Sequence, residues 1–156
     1  MRVHLCVVGR LKGGPEADLL RDYLDRFGKT GRVLGLGPAS VHEVEDKRGG
    51  GRAAEATLLA RSVPRGSLIC AMDERGQKLS SPEFANLLAR YRDQGTKDMV
   101  FMIGGADGLD PSLCETAGVR VSFGSMVWPH MLARVMLSEQ LYRAATILSG
   151  SPYHRA

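Results

Sequence analysis

The sequence predicts a single α/β domain, a mostly parallel sheet with helices on both faces. Segments rich in β-branched residues alternate with segments of helical period along the whole chain, the pattern of strand-helix-strand units. Residues 99–103, Met-Val-Phe-Met-Ile, are apolar at every position, as a central strand covered on both faces requires. A chain of 156 residues with 44% hydrophobic composition can bury one substantial core and is short for two, so the domain is expected to span residues 1–156. The charged fraction is 24%, and no stretch combines dense charge with few apolar residues, which argues against a long disordered region.

The elements follow in order. Residues 3–8 are apolar except for His4 and rich in β-branched residues, and they stop at Gly9, so they predict a buried strand leading into a loop over 10–14. From Pro15 the period becomes helical, with Leu19, Leu20, Tyr23, Leu24 and Phe27 on one face and Asp18, Arg21, Asp22, Asp25 and Arg26 largely on the other; Gly28 is the expected stop. Residues 31–38 are glycine-rich and carry no period, and residues 40–45 alternate around Val41 and Val44 as a partly exposed strand would. The basic run Lys47-Arg48-Gly49-Gly50-Gly51-Arg52 predicts a flexible loop, and residues 53–63 a helix with Leu58 and Leu59 inward, closed by Pro64-Arg65-Gly66.

Residues 68–72 read as a short strand ending at Asp73, and Ser81-Pro82-Glu83 as an N-cap, a proline at the first helical position and an early acid for a helix over 82–94. The strand over 99–103 runs into Gly104-Gly105-Ala106-Asp107-Gly108. Asp110-Pro111 starts a short helix ended by Gly118, residues 119–123 make the last strand, residues 124–129 an irregular loop, and residues 130–148 the longest helix.

Charge and cysteine use bound the function. A net charge of +4 favours a polyanionic partner through release of condensed counterions, although an excess this modest also fits an ordinary solvated surface. Cys6, Cys70 and Cys114 are odd in number, widely spaced and set among apolar neighbours, which predicts buried reduced thiols rather than a disulfide framework or a zinc site. The opening apolar run is too short for a signal-peptide core or a membrane span, so a cytoplasmic location is expected.

In an open α/β sheet, ligands collect beyond the carboxyl ends of the strands, which singles out the loops after Met72, at Gly104 and from Phe123 to Trp128. Gly104, Gly105 and Gly108 let the main chain approach a ligand closely, or simply form a tight turn between strand and helix. The loop lacks both the Gly-x-Gly-x-x-Gly pattern and the Gly-Lys-Ser/Thr of a P-loop, so neither a dinucleotide nor a triphosphate is indicated. Phe123-Gly124-Ser125-Met126-Val127-Trp128-Pro129-His130 is apolar yet rich in turn formers, suited to holding a flat base such as adenine. Trp128 fits that pocket and fits core packing or a subunit contact equally. His130, at the positive end of the last helix, is favoured to stay neutral in a structural role. The ending Ser151-Pro152-Tyr153-His154-Arg155-Ala156 offers an aromatic ring, an imidazole and a guanidinium for a base and a phosphate, the alternative being an inert terminus.

Taken together, residues 103–109, residues 123–130, Glu139-Gln140-Leu141-Tyr142-Arg143-Ala144 and Pro152-Tyr153-His154-Arg155 resemble one family over essentially the full length of the chain. It is the ribosomal RNA large subunit methyltransferase H family, pseudouridine N3-methyltransferases of the SPOUT class. The resemblance implies a deep trefoil knot in the C-terminal part of the sheet, a homodimer, and S-adenosylmethionine as cofactor, bound by the positions here occupied by Met72, Gly104, Phe123, Gly124, Ser125, Met126, Val127 and Trp128. It implies as substrate a pseudouridine of 23S rRNA in the assembled ribosome, with no separate RNA-binding domain, so that Arg143, Tyr153, His154 and Arg155 fall to RNA recognition together with the dimer surface, and the basic loop 47–52 contributes less.

The implied reaction needs an in-line sulfonium methyl and an imide nitrogen freed of its proton. His154 is the expected base and Arg155 or Arg143 the expected stabiliser of the anion, within or across the dimer. No metal is required, and the sequence shows no ligand cluster for one. Two other functions fit the same residues: a non-catalytic ribosome-binding factor that keeps the knotted fold, and a SPOUT enzyme with a different RNA target. The intact glycine loop and tail together speak against the first, and the short length and Pro-Tyr-His-Arg ending against the second.

Overall fold

A computed structural model describes residues 1–155; Ala156, the end of the tail named above, lies outside the described residues. The alternation appears as β1 (Arg2–Val8), α1 (Pro15–Gly31), a 3-10 turn (Arg32–Leu34), β2 (Ala39–Val44), α2 (Gly51–Ser62), β3 (Leu68–Lys78), α3 (Ser81–Asp93), β4 (Asp98–Ile103), α4 (Pro111–Thr116), β5 (Val119–Ser122) and α5 (His130–Ser149). The strands form one sheet in the order β2-β1-β4-β3-β5, and every neighbouring pair is parallel. Parallel neighbours need crossover connections, which is why a helix separates each strand from the next.

Strand alternation divides the core in two. Val3, Leu5, Val7, Met99, Phe101 and Ile103 face the layer made by α1, α3 and α5, against Leu20, Phe27, Leu88 and Leu141. Cys6, Val8, Val100 and Met102 face the other way, onto Leu59 of α2 and Leu113 of α4. Both faces of β4 are therefore covered, and all six of its residues are buried, as its unbroken apolar run requires. Cys6, Cys70 and Cys114 are buried free thiols.

Several boundaries differ from the sequence reading. α1 passes through Gly28 to Gly31, where a side chain would meet the Leu36 carbonyl oxygen 2.7 Å away, and a 3-10 turn ending at left-handed Gly35 occupies part of the unassigned 31–38 stretch. The basic loop is shorter than expected because α2 begins at Gly51. The N-cap of α3 is Ser80 rather than Ser81: the Glu83 backbone N–H donates to Ser80 Oγ, and the Glu83 carboxylate accepts from the Ser80 N–H. α4 stops at Thr116, two residues short of Gly118, and β5 at Ser122. The largest correction concerns β3. It does not end at Asp73 but pairs with β5 on both sides of an irregularity, since Met72 and Gln77 both lie opposite Val121. Residues 73–76 bow out of the strand between them.

Candidate functional site

β4 delivers the chain at Ile103 into a turn over 104–108 in which the Gly108 N–H donates to the Gly105 carbonyl oxygen at 3.0 Å. A Cβ on Gly104 would lie 2.3 Å from the Gly108 carbonyl carbon and 2.6 Å from the Leu109 nitrogen, so no larger residue fits this crossing of two main-chain segments. The second wall is the bowed part of β3. Gly76 rests on the β5 backbone, where a Cβ would stand 2.6 Å from the Val121 nitrogen. The third wall follows β5: the Gly124 N–H donates to Ser122 Oγ at 3.0 Å, the Ser122 hydroxyl donates to the Gly124 carbonyl at 3.1 Å, and Gly124 adopts φ 109°.

These walls enclose a cleft of about 630 Å3 at the carboxyl ends of β3, β4 and β5, within the usual range for small-molecule sites. Met72, Gly104, Phe123, Gly124, Met126, Val127 and Trp128 line it, and Ser125 does not. The structure thus brings together seven of the eight residues expected to hold the cofactor. The glycine turn is both a steric necessity and one side of a cavity. Met126 and Val127 are 73% and 89% exposed and Trp128 is 39% exposed, so this wall presents an apolar rim to solvent, and Trp128 is not a core residue.

Sequence reasoning missed the polar lining: Asp73 and Glu74 on the bowed segment, Arg120 on β5 and Arg52 in the first turn of α2. Asp73 and Glu74 suit hydroxyl and cationic groups of a ligand, and the only signal for them was their place just after a buried strand. Cys114 also lines the cleft, but burial and then the Asp73 carboxylate push its thiol pKa up, so it is no thiolate nucleophile. His130 reaches the cleft wall as well; burial first, then the Arg134 guanidinium, lowers its pKa and keeps the ring neutral, in keeping with a structural role.

The tail forms a second cluster, with Glu139 of α5 at its hub. Glu139 Oε1 accepts from Arg143 Nε (3.0 Å), Arg143 Nη2 (2.6 Å) and the Tyr153 hydroxyl (3.0 Å). The Arg143 guanidinium lies 4.9 Å from the Tyr153 ring centroid, and Tyr153 packs on Tyr142 at 4.7 Å. Arg143 Nη1 lies 3.3 Å from His154 Nδ1; a guanidinium can only donate, so Nδ1 accepts and the neutral imidazole carries its proton on Nε2. Arg143, Tyr153 and His154 are thus brought together, and Arg155 is exposed beside them. None of the four lines the cleft. A groove of about 500 Å3 joins the two regions, sharing Met72, Val121, Phe123 and Gly124 with the cleft and reaching Tyr23, Glu139 and Gln140. A larger hollow of about 990 Å3 lies under α1 near Leu36 and Val41 and shares no residue with the cleft.

A parallel sheet whose last three strands end in such a cleft, followed by a long helix that carries the tail back, defines a SPOUT-class methyltransferase: the family model described as "Predicted SPOUT methyltransferase" matches residues 1–154. Within that class the chain belongs to the ribosomal RNA large subunit methyltransferase H family. It is 68% identical over 155 residues to the protein of that name from Dinoroseobacter shibae and 63% identical to that from Ruegeria sp. (strain TM1040), with 99% of each chain covered. A solved structure described as a probable methylase family protein from Haemophilus influenzae shares the fold, with a TM-score of 0.51 at 11% identity over 99% of this chain and 70% of that one.

Proposed function

We propose that this protein transfers a methyl group from S-adenosylmethionine to N3 of a pseudouridine in 23S rRNA of the assembled ribosome, acting in the cytoplasm as a homodimer. The observation that carries the reading is the convergence of Met72, Gly104, Phe123, Gly124, Met126, Val127 and Trp128 on one cleft, in a chain that matches curated large subunit methyltransferases over nearly its whole length. The trefoil knot belongs to this proposal. It is supported by the match of residues 1–154 to the SPOUT methyltransferase family model.

The cleft fits the cofactor by chemistry: an apolar wall for a flat base, main chain without Cβ at Gly104, and the carboxylates of Asp73 and Glu74 for hydroxyl and cationic groups. When bound, S-adenosylmethionine supplies an electrophilic methyl on a sulfonium. The protein's own work is to hold the imide nitrogen in line with that methyl and to stabilise the negative charge left when its proton departs. Arg143, oriented by two hydrogen bonds to Glu139, and the exposed Arg155 are the cations for that anion. Tyr153 offers a ring for base stacking, and His154 takes the proton once its Nδ1 is released from Arg143.

The tail cluster stands outside the cleft of its own chain, and the rim at Met126 and Val127 is apolar and exposed, which supports a dimer in which one protomer's tail completes its partner's cleft. Among the described residues, no helix is long and apolar enough to cross a membrane.

The experiment is incubation with radiolabelled S-adenosylmethionine and either unmodified assembled ribosomes or naked rRNA, followed by nuclease mapping and mass spectrometry. Label on N3 of one large-subunit pseudouridine, in ribosomes only, is the expected result. Cofactor binding without label on either substrate makes the protein a binding factor and overturns the reading.

A further inference from the structure

At the opposite end of the sheet from the cleft, the first residues of β1, β2 and β4 carry a polar cluster that the proposed methyl transfer does not use. β1 and β2 are in register with His4 opposite Ser40 and Cys6 opposite His42. Cys6 and Val8 on this face are roofed by α2, whose Ser62 carbonyl accepts from Cys6 Sγ at 3.9 Å. His4 is one strand period nearer the edge, 9% exposed, and Ser40 and His42 open it to solvent.

Three heteroatoms meet there. His4 Nδ1 lies 3.1 Å from His42 Nε2 and 3.1 Å from Ser40 Oγ, and Ser40 Oγ lies 3.2 Å from His42 Nε2. These three contacts cannot all be separate two-centre hydrogen bonds; one proton must be shared between two acceptors. His4 Nε2 is 2.8 Å from Asp98 Oδ1, so it carries the ring proton and Nδ1 presents a lone pair. Ser40 has one hydroxyl proton and His42 Nε2 has at most one, leaving two protons for three edges. A nearly equilateral triangle of donor atoms is also what a small cation assembles. Ligands at about 2.0–2.1 Å from a first-row metal stand roughly 2.9 Å apart at a right angle and roughly 3.3 Å apart in a tetrahedron.

The outer contacts point the same way. Asp98, 7% exposed, receives His4 Nε2–H on Oδ1 and is held by Arg2 through Nε (2.8 Å) and Nη2 (3.0 Å). A carboxylate behind a histidine fixes the tautomer and raises the basicity of the metal-facing nitrogen, the usual support of a histidine ligand. Among the described residues no three His, Cys, Asp or Glu side chains form a metal-holding group; here the third corner is a hydroxyl.

We propose that His4 Nδ1, His42 Nε2 and Ser40 Oγ form a binding site for a divalent first-row transition-metal ion of the imidazole-preferring class, with Asp98 orienting His4. The remaining positions open to water. The ion joins β1 to β2 on the side of the sheet remote from the methyl-transfer cleft, so it stabilises the fold and takes no part in the proposed reaction.

The test is calorimetric titration of the full-length protein with Zn2+, paired with Cu2+ electron paramagnetic resonance. One equivalent of Zn2+ is expected, with nitrogen couplings from two imidazoles in the Cu2+ spectrum and a thermal midpoint that rises with Zn2+. H42A, at a half-buried position, is expected to weaken binding at least about tenfold, and D98N about 10–100-fold. Both variants are checked for native circular dichroism, and H42A keeps the wild-type methyl-transfer rate. No saturable binding, binding unchanged in H42A, or binding abolished by H154A instead would each overturn the site and show a hydrogen-bonded trio only.

Discussion

Arg134 provides the most direct test of how the site end of the fold is held. Its side chain is fully buried, with Nη2 donating to the carbonyl oxygens of Val8 (3.0 Å) and Gly9 (3.2 Å) and Nη1 paired with Glu43 Oε2 at 3.1 Å. It therefore ties the first turns of α5, next to the cleft residues His130 and Ala133, to the end of β1. R134M keeps most of the stem volume and removes the donors. Two carbonyls lose charge-assisted bonds worth about 1.5–3 kcal/mol each. Breaking a buried ion pair by removing one partner costs about 3–5 kcal/mol, a range the carbonyl losses alone can fill. For a domain of this size that is a fall in melting temperature of roughly 6–20 °C. E43Q is expected to cost about 1 kcal/mol or less, because the glutamine side-chain oxygen still accepts from Arg134 Nη1 and the Glu43 side chain is 28% exposed. Urea unfolding of the two variants measures both numbers. An R134M variant within about 1 kcal/mol of wild type, or an E43Q variant as damaged as R134M, would refute the assignment of the stabilisation to the carbonyl contacts.

Other expectations follow from single contacts. G104A sets a methyl against the Gly108 carbonyl carbon and should weaken S-adenosylmethionine binding by about 1.4–2.8 kcal/mol, roughly tenfold to a hundredfold, by calorimetry on folded protein. E139Q leaves the helix intact but replaces the carboxylate shared by Arg143 and Tyr153 with a neutral, weaker acceptor, and is expected to lower the methyl-transfer rate about 100-fold with cofactor affinity unchanged. Burial, then the hydrogen bond to Glu139, pushes the Tyr153 phenol up to about 12. Folding thus holds that proton more tightly than the unfolded chain, where a phenol titrates near 10, so this contribution to stability is present below about pH 10 and is lost as pH rises toward 12. Tyrosinate absorbance should show a late-titrating phenol that Y153F removes; persistence of that phase in Y153F would reassign it.

The strands were legible because their burial is written in their own residues: β4 is apolar throughout, and β1 carries Val3, Leu5 and Val7 at strand period. The second half of β3 was not. Residues 73–78, Asp-Glu-Arg-Gly-Gln-Lys, carry no apolar signal, and their pairing with β5 depends on Gly76 fitting against the Val121 backbone, a contact across 45 residues of chain. Glu139 reads as an ordinary helix-surface acid four residues before Arg143. Only the return of the tail over α5 gives it Tyr153 as a second partner. Buried Arg134 is equally silent, because its partners are carbonyls more than 120 positions away.

This unevenness has a physical cause that also ranks the site residues. The glycine-turn wall is constrained by main-chain crowding, and crowding leaves glycine at Gly104 whatever the ligand, so that position shows in a single sequence, whereas Gly76 is crowded by a strand 45 residues away and does not. The tail residues proposed for proton transfer are held by charge partners brought together from distant segments, and any one of them alone is an unremarkable surface residue. His154 illustrates the consequence: its Nδ1 is engaged by Arg143, and Arg143 is in turn fixed by Glu139. On the proposed mechanism, the availability of His154 Nδ1 therefore depends on Glu139 as much as on the imidazole. If E139Q frees Arg143 to bind His154 Nδ1 more tightly, H154A should cost little further activity in that background. Independent losses that simply multiply would mean that the carboxylate and the imidazole act separately, and that His154 is not under the control of this cluster.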